Sequence, residues 1–103
     1  MIVRAKTPDN CDTMTEVREG VDATDQDLMA LLETRFGYMR AAARIKQNRD
    51  AVRDEARKQA VIDAVRREAD QSGLPAEAIA DIWDRLVEAS IAYELAEWDR
   101  IRN

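Results

Sequence analysis

Between Met14 and Ile45 the sequence keeps a seven-residue rhythm. Met14, Val17, Val21, Thr24, Leu28, Leu31, Arg35, Tyr38, Ala42 and Ile45 follow one another in alternating steps of three and four. That period places these side chains on one stripe of a single long amphipathic α-helix of coiled-coil type. The helix is predicted to begin between Asp12 and Thr15, after Pro8 and the polar segment Asp9 to Thr13, where Thr13 and Glu16 have the spacing of a capping box. If it runs to Lys46 it is roughly 50 Å long at ~1.5 Å per residue. A compact domain of about 100 residues has a radius of gyration of only ~13 Å. In a chain of 103 residues such a helix overhangs its own fold, and its apolar stripe needs a cover. The same helix of a second subunit would provide one, giving an intertwined two-fold homodimer. The alternative is a three-helix monomer whose first helix breaks near Gly37.

The remainder reads as two shorter helices. Gln47 to Val52 is polar and forms the turn after the first helix. The second helix is predicted from about Asp54 to Gln71, with Ala56, Ala60, Val61, Ile62, Val65 and Ala69 facing inward. Ser72-Gly73-Leu74-Pro75 then stops one helix and opens the next, because glycine takes the left-handed cap and proline suits a first turn. The third helix runs from Pro75 towards Ile101, with Ile79, Ile82, Trp83, Leu86, Val87, Ile91, Leu95, Trp98 and Ile101 buried. β-branched residues never alternate, so no strand is expected. The fold class is all-α, one long and two shorter helices, with residues 1–103 a single domain and residues 1–12 a lead-in.

Composition narrows the chemistry. There is no histidine, which removes a Ser-His-Asp triad, a His-zinc centre and a histidine pH switch. One cysteine, Cys11, makes neither an intrachain disulfide nor a Cys-rich metal site. Gly20, Gly37 and Gly73 are too scattered for a phosphate-cradling loop. A formal net charge of −5 argues against nucleic acid as a partner. No cofactor or metal is expected. Met1 to Val3 is followed by Arg4 and Lys6 without an apolar core segment, and no apolar run approaches the ~20 residues of a membrane span. The expected location is the cytoplasm, with Cys11 reduced. What remains is an enzyme working without histidine or metal, or a helical interaction module.

Polar residues that interrupt the apolar stripes are the candidates for function. Arg35 holds a core position of the heptad pattern, where a guanidinium is costly unless an anion meets it. Ser90 and Glu94 are one turn apart on the face that carries Val87, Ile91 and Trp98. Asp54, Arg57 and Lys58 share a face at the start of the second helix. Arg18 and Lys46 flank the first helix on one heptad position, 28 residues apart, or ~42 Å along a helix. No small ligand spans that distance, so if both serve one site they come from different subunits. Each charge also has a plainer reading as a solvated flank, a helix-stabilising cluster or half of an ordinary ion pair; Arg35 and Glu94 fit it least, because both lie on apolar faces.

These segments resemble the small all-helical chorismate mutases of the type II fold, and within them the branch that contains isochorismate pyruvate lyases of salicylate biosynthesis. The resemblance is carried by Val17-Arg18-Glu19-Gly20-Val21-Asp22 with Asp25, Leu31-Leu32-Glu33-Thr34-Arg35-Phe36-Gly37-Tyr38, Ala41 to Lys46, Val52-Arg53-Asp54 to Arg57, and Ile91-Ala92-Tyr93-Glu94 ending at Trp98. The lead-in Lys6 to Cys11 looks like that of the lyase branch. The resemblance implies that Arg35, with Arg18 from the other subunit, grips the two carboxylates of chorismate and that Lys46 donates to the ether oxygen. It further implies that Arg57 helps to hold a carboxylate, that Asp54 and Ser90 line the site, and that Glu94 faces the ether oxygen from the opposite side. The implied reaction is a pericyclic rearrangement to prephenate that needs no nucleophile and no proton transfer. Such a reaction is accelerated by holding the reactive conformer and by donors preorganised at the developing charge.

The chain departs from the family pattern twice. Many relatives carry glutamine where this chain has Glu94, and Lys58 stands where bacterial mutases carry a glutamate that contacts the hydroxyl end of the substrate. Three functions are therefore expected in order: chorismate mutase, isochorismate pyruvate lyase, and a non-catalytic helical dimer that would turn over neither substrate. An ionised Glu94 repels the ether oxygen and assists only when protonated, so activity is expected to fall as pH rises. kcat/KM measured against pH checks this: the unmodified chain declines with pH, and Glu94→Gln has a different profile.

Overall fold

The computed structural model describes residues 5–103; the first four residues of the expected lead-in, Met1 to Val3 among them, lie outside it. Three helices, α1 (Met14–Ile45), α2 (Glu55–Gln71) and α3 (Ala76–Arg102), account for most of the chain, with short 3-10 turns at Pro8–Asn10 and Arg49–Ala51. No strand occurs among the described residues. None of the helices is long and apolar enough to cross a membrane. The chain divides into two compact units, Met1–Arg35 and Phe36–Asn103.

In the N-terminal unit the expected capping box is formed. The Thr13 amide donates to Glu16 Oε1 at 3.1 Å, and the Glu16 amide donates back to Thr13 Oγ1 at 3.2 Å. Glu16 also accepts from the Asp12 amide at 2.9 Å and pairs with the Lys6 ammonium. Lys6 first, then the Asp12 amide, holds this carboxyl below its ordinary value. These bonds fold the lead-in back over the first turns of α1, where Pro8 and Cys11 line a groove with Val17, Gly20 and Val21. Beyond the groove the stripe is bare. Leu28 is 51% exposed and Leu31 66% exposed, although their spacing is that of buried seam positions.

In the C-terminal unit α1 continues through Gly37 as far as Ile45 with no break, so the helix interruption required by the monomer alternative does not occur. The core consists of Val52, Val87 and Ile91, packed round by Val61, Trp83, Leu95 and Trp98. α2 lies against α3. Asp54 caps α2 by accepting the Arg57 amide at 2.9 Å. At the other end the Leu74 amide reaches the Ala69 carbonyl at 2.8 Å and the Gly73 amide the Asp70 carbonyl at 3.2 Å. This is the paired bonding of a Schellman cap, and Gly73 adopts the left-handed φ of 73° that it requires.

Several expected core positions are not buried in the single chain. Ala56 and Ala60 of α2 are exposed, and so are Ile82 and Ile101 of α3. Ile62 and Ala69 set the buried direction of α2, and Ala60, two residues before Ile62, points to the opposite side of the helix. On α3 the buried residues Val87, Ser90, Ile91 and Glu94 form one narrow stripe, and Ile82 lies off it. The packing within the chain uses a narrower stripe than the apolar residues offer.

The turn at Gly73 generates a stability prediction. A Cβ there would meet no atom within 4 Å, so Gly73→Ala carries only the backbone cost of the left-handed region, about 1 kcal/mol. Urea denaturation should show a lower midpoint with an unchanged slope.

Candidate active site

Lys46 is the first residue beyond α1, and its side chain turns into the C-terminal unit. Its ammonium lies 2.8 Å from Glu94 Oε2 and 3.4 Å from the Val52 carbonyl. Glu94 belongs to the buried stripe of α3 and is only 4% exposed, whereas the Lys46 side chain remains 30% exposed. The approach of Lys46 gives Oε2 an ion pair without the alignment of a hydrogen bond. Among the described residues it is the buried side-chain oxygen left without an aligned donor. The ammonium at 2.8 Å supplies the charge that a buried carboxylate requires. One turn earlier, Ser90 is 3% exposed and donates to the Leu86 carbonyl at 2.7 Å.

The first turn of α2 gathers the other expected residues of this unit. Asp54 is exposed and engaged as the helix cap, and Arg57 is exposed beside it. Lys58 is drawn onto α3, 2.7 Å from Glu88 Oε2 and 3.1 Å from Asp84 Oδ1. Arg53 holds the same Glu88 through two nitrogens, at 2.8 and 3.0 Å, and reaches Glu55 at 2.6 Å. The charge of Lys58 is therefore met locally. Glu88 was not singled out in the sequence, where it is one acid among many; only the α2–α3 packing reveals its role.

Arg18 and Arg35 lie on the part of α1 that belongs to the N-terminal unit, Arg18 exposed and Arg35 half-buried. In the C-terminal unit, α1 and α3 also meet through aromatic residues. Phe36 and Tyr93 pack edge to face with centroids 5.0 Å apart, and Arg40 donates to the Tyr93 hydroxyl at 2.9 Å. Trp98 is more than the core residue expected of it, because its indole N–H donates to the Lys46 carbonyl at 3.0 Å. A packed indole needs an acceptor for that group, which is the one signal in the sequence that could have prompted a search for it.

At the end of its first helix this helical chain sets a lysine ammonium against a buried glutamate. The model for chorismate mutase type II matches residues 17–95, and the chain belongs to that family. It is also similar to an isochorismate pyruvate lyase from Pseudomonas aeruginosa, at 29% identity over 97 residues that cover 94% of this chain and 96% of the relative.

The Glu88 cluster generates a pH prediction. Arg53 first, then Lys58, lowers the Glu88 carboxyl from 4.5 to about 2. A carboxyl lowered on folding contributes its stability above its unfolded value, and that contribution is lost as pH falls toward the folded one. Between pH about 5 and about 2, urea midpoints of the unmodified chain should therefore fall more steeply than those of Glu88→Gln.

Proposed function

We propose that this protein is an enzyme that rearranges chorismate to prephenate, with the Lys46–Glu94 pair at the reacting ether oxygen. The observation that carries the reading is the lysine ammonium held against a buried carboxylate that has no aligned hydrogen-bond donor at Oε2. The family match supports the reaction class. Lys46 donates to the ether oxygen as the C–O bond breaks and negative charge grows there. Glu94, when protonated, donates from the other side. Arg35 and a second subunit's Arg18 each take a carboxylate, for which a planar fork of donors is suited. Arg57 assists at a carboxylate, and Asp54, Lys58 and Ser90 line the site. Binding selects the folded conformer of the substrate, and the fixed charges stabilise the transition state.

The homodimer is part of the proposal. The exposed Val21, Leu28 and Leu31 of the N-terminal unit, and Tyr38 and Ile45 of the C-terminal unit, support a second copy of α1 as the cover of the stripe. Each pocket would then draw residues from two chains. The single thiol fits a reducing compartment, and we place the reaction in the cytoplasm. A second reading, elimination of pyruvate from isochorismate to leave salicylate, is favoured by the similarity to an isochorismate pyruvate lyase over nearly the whole chain.

Incubation with chorismate or isochorismate, with identification of prephenate, salicylate and pyruvate, separates these readings; turnover of neither substrate would leave the non-catalytic dimer. On the active substrate, Lys46→Met should lower kcat about 10²-fold or more with a smaller change in KM, as expected for a contact made mainly in the transition state. Subunit sharing has its own test. Inactive Arg18→Ala and Lys46→Met chains, refolded together in equal amounts, should recover about a quarter of the unmodified activity, because half of the dimers would carry one intact pocket. Recovery of none would mean that Arg18 does not act across the dimer.

A further inference from the structure

The last turns of α3 hold the backbone of Lys46 through its carbonyl. The amide of Lys46 makes the final helical bond of α1, to the Ala42 carbonyl at 2.9 Å. Its carbonyl accepts two donors from α3: Trp98 Nε1–H at 3.0 Å and Arg102 Nη2–H at 2.6 Å. Both peptide planes that flank the Lys46 Cα are thereby fixed, and with them the direction in which the side chain leaves the backbone. The same Arg102 donates through Nη1 to the carbonyl of Ala43 at 3.0 Å. Ala43 is fully buried, and a helix end leaves such carbonyls without intrahelical partners. The guanidinium lies over the Trp98 ring, 4.1 Å from its centroid, so each donor steadies the other. Asp99, between them in sequence, holds Arg49 of the following turn through two bonds at 2.9 and 3.2 Å.

The geometry points to Trp98 and Arg102 as positioning residues for Lys46, which set the placement of its ammonium relative to Glu94 and the reacting oxygen. The inference rests on the proposed role of Lys46. Both residues lie beyond residues 17–95, the part that the family model matches. The bonds that both make to Lys46 are to its backbone carbonyl, and it is through that carbonyl that they act. Arg102 also suits its place electrostatically, since a cation at the C-terminal end of α1 opposes the partial negative charge of the unpaired carbonyls.

The test uses the full chain with Trp98→Phe, which keeps a smaller aromatic ring and removes the donor, and Arg102→Met, which keeps much of the apolar stem and removes the guanidinium. kcat and KM are measured on whichever of chorismate or isochorismate the unmodified chain turns over, at a temperature where circular dichroism shows each variant folded. Misplacement of a catalytic group is expected to lower kcat about tenfold or more, with KM held within about twofold because substrate gripping is undisturbed. Should one variant fail to fold, the other decides. Variants that melt at lower temperature but keep kcat per folded chain would overturn the inference and leave the two residues a structural role alone. A fall confined to KM would overturn it as well. An unmodified chain inert towards both substrates would instead overturn the proposed function, and the role of Trp98 and Arg102 with it.

Discussion

A carboxylate withdrawn from water must be met by positive charge or by donors, and in this chain that requirement falls on Glu94. Its position on the buried stripe of α3, among Val87, Ser90 and Ile91, leaves it dependent on Lys46 at the end of α1. The register of the C-terminal unit follows from the pairing. α1 must stop where it does for the lysine to turn inward, and the Arg49–Ala51 turn must bring the Val52 carbonyl to the same ammonium. Trp98 and Arg102 close the arrangement from behind by taking up the carbonyls that the end of the helix exposes. Structural and chemical demands therefore meet on one side chain, since a lysine that neutralises a buried acid is also a fixed donor directed at a small volume.

Much of the fold could be read from local signals because local physics sets the helix boundaries. The Thr13/Glu16 box and the Ser72-Gly73-Leu74-Pro75 stop depend on bonds between neighbours in sequence, and the ends of the helices fall where those residues dictate. Of the candidate site, Glu94 was legible as a charge out of place on an apolar face and Lys46 only as a charge flanking the stripe of the first helix, and the structure brings the two together. The assignments that missed depend on which helix faces which. Ile82 has the same hydropathy whether covered or bare, and Ala60 fits either side of α2. The engagement of Lys58 with Glu88 and Asp84 is fixed by tertiary packing across 30 residues, which no periodicity encodes. The indole bond of Trp98 is intermediate: its need for an acceptor could be read from the sequence, and the identity of the acceptor could not.

The charge balance has two scales. Over the whole chain acids exceed bases, 21 to 16, and many of them are spent on neighbours: Asp99 on Arg49, Glu97 on Arg100, and Glu88 on Arg53 and Lys58. Exposed pairs of this kind contribute little each, but they settle which cations are committed to structure. Lys46 faces its acid from a partly open position, and Arg57 stands exposed at the start of α2. An acidic protein can in this way present positive charge locally to an anion while its surface as a whole stays negative.

The pairing of Lys58 with Glu88 also has a topological meaning. Trp98 reaches back 52 residues to the Lys46 carbonyl, a long loop for a flexible chain to close. The Lys58–Glu88 contact already gathers in a 30-residue excursion of α2 and α3. Once that hairpin has formed, the path from Lys46 to Trp98 is effectively about twenty residues, and the entropy of closing it shrinks accordingly. The hairpin is thus a shortcut through the chain, by which two distant stretches of sequence lie a shorter effective path apart.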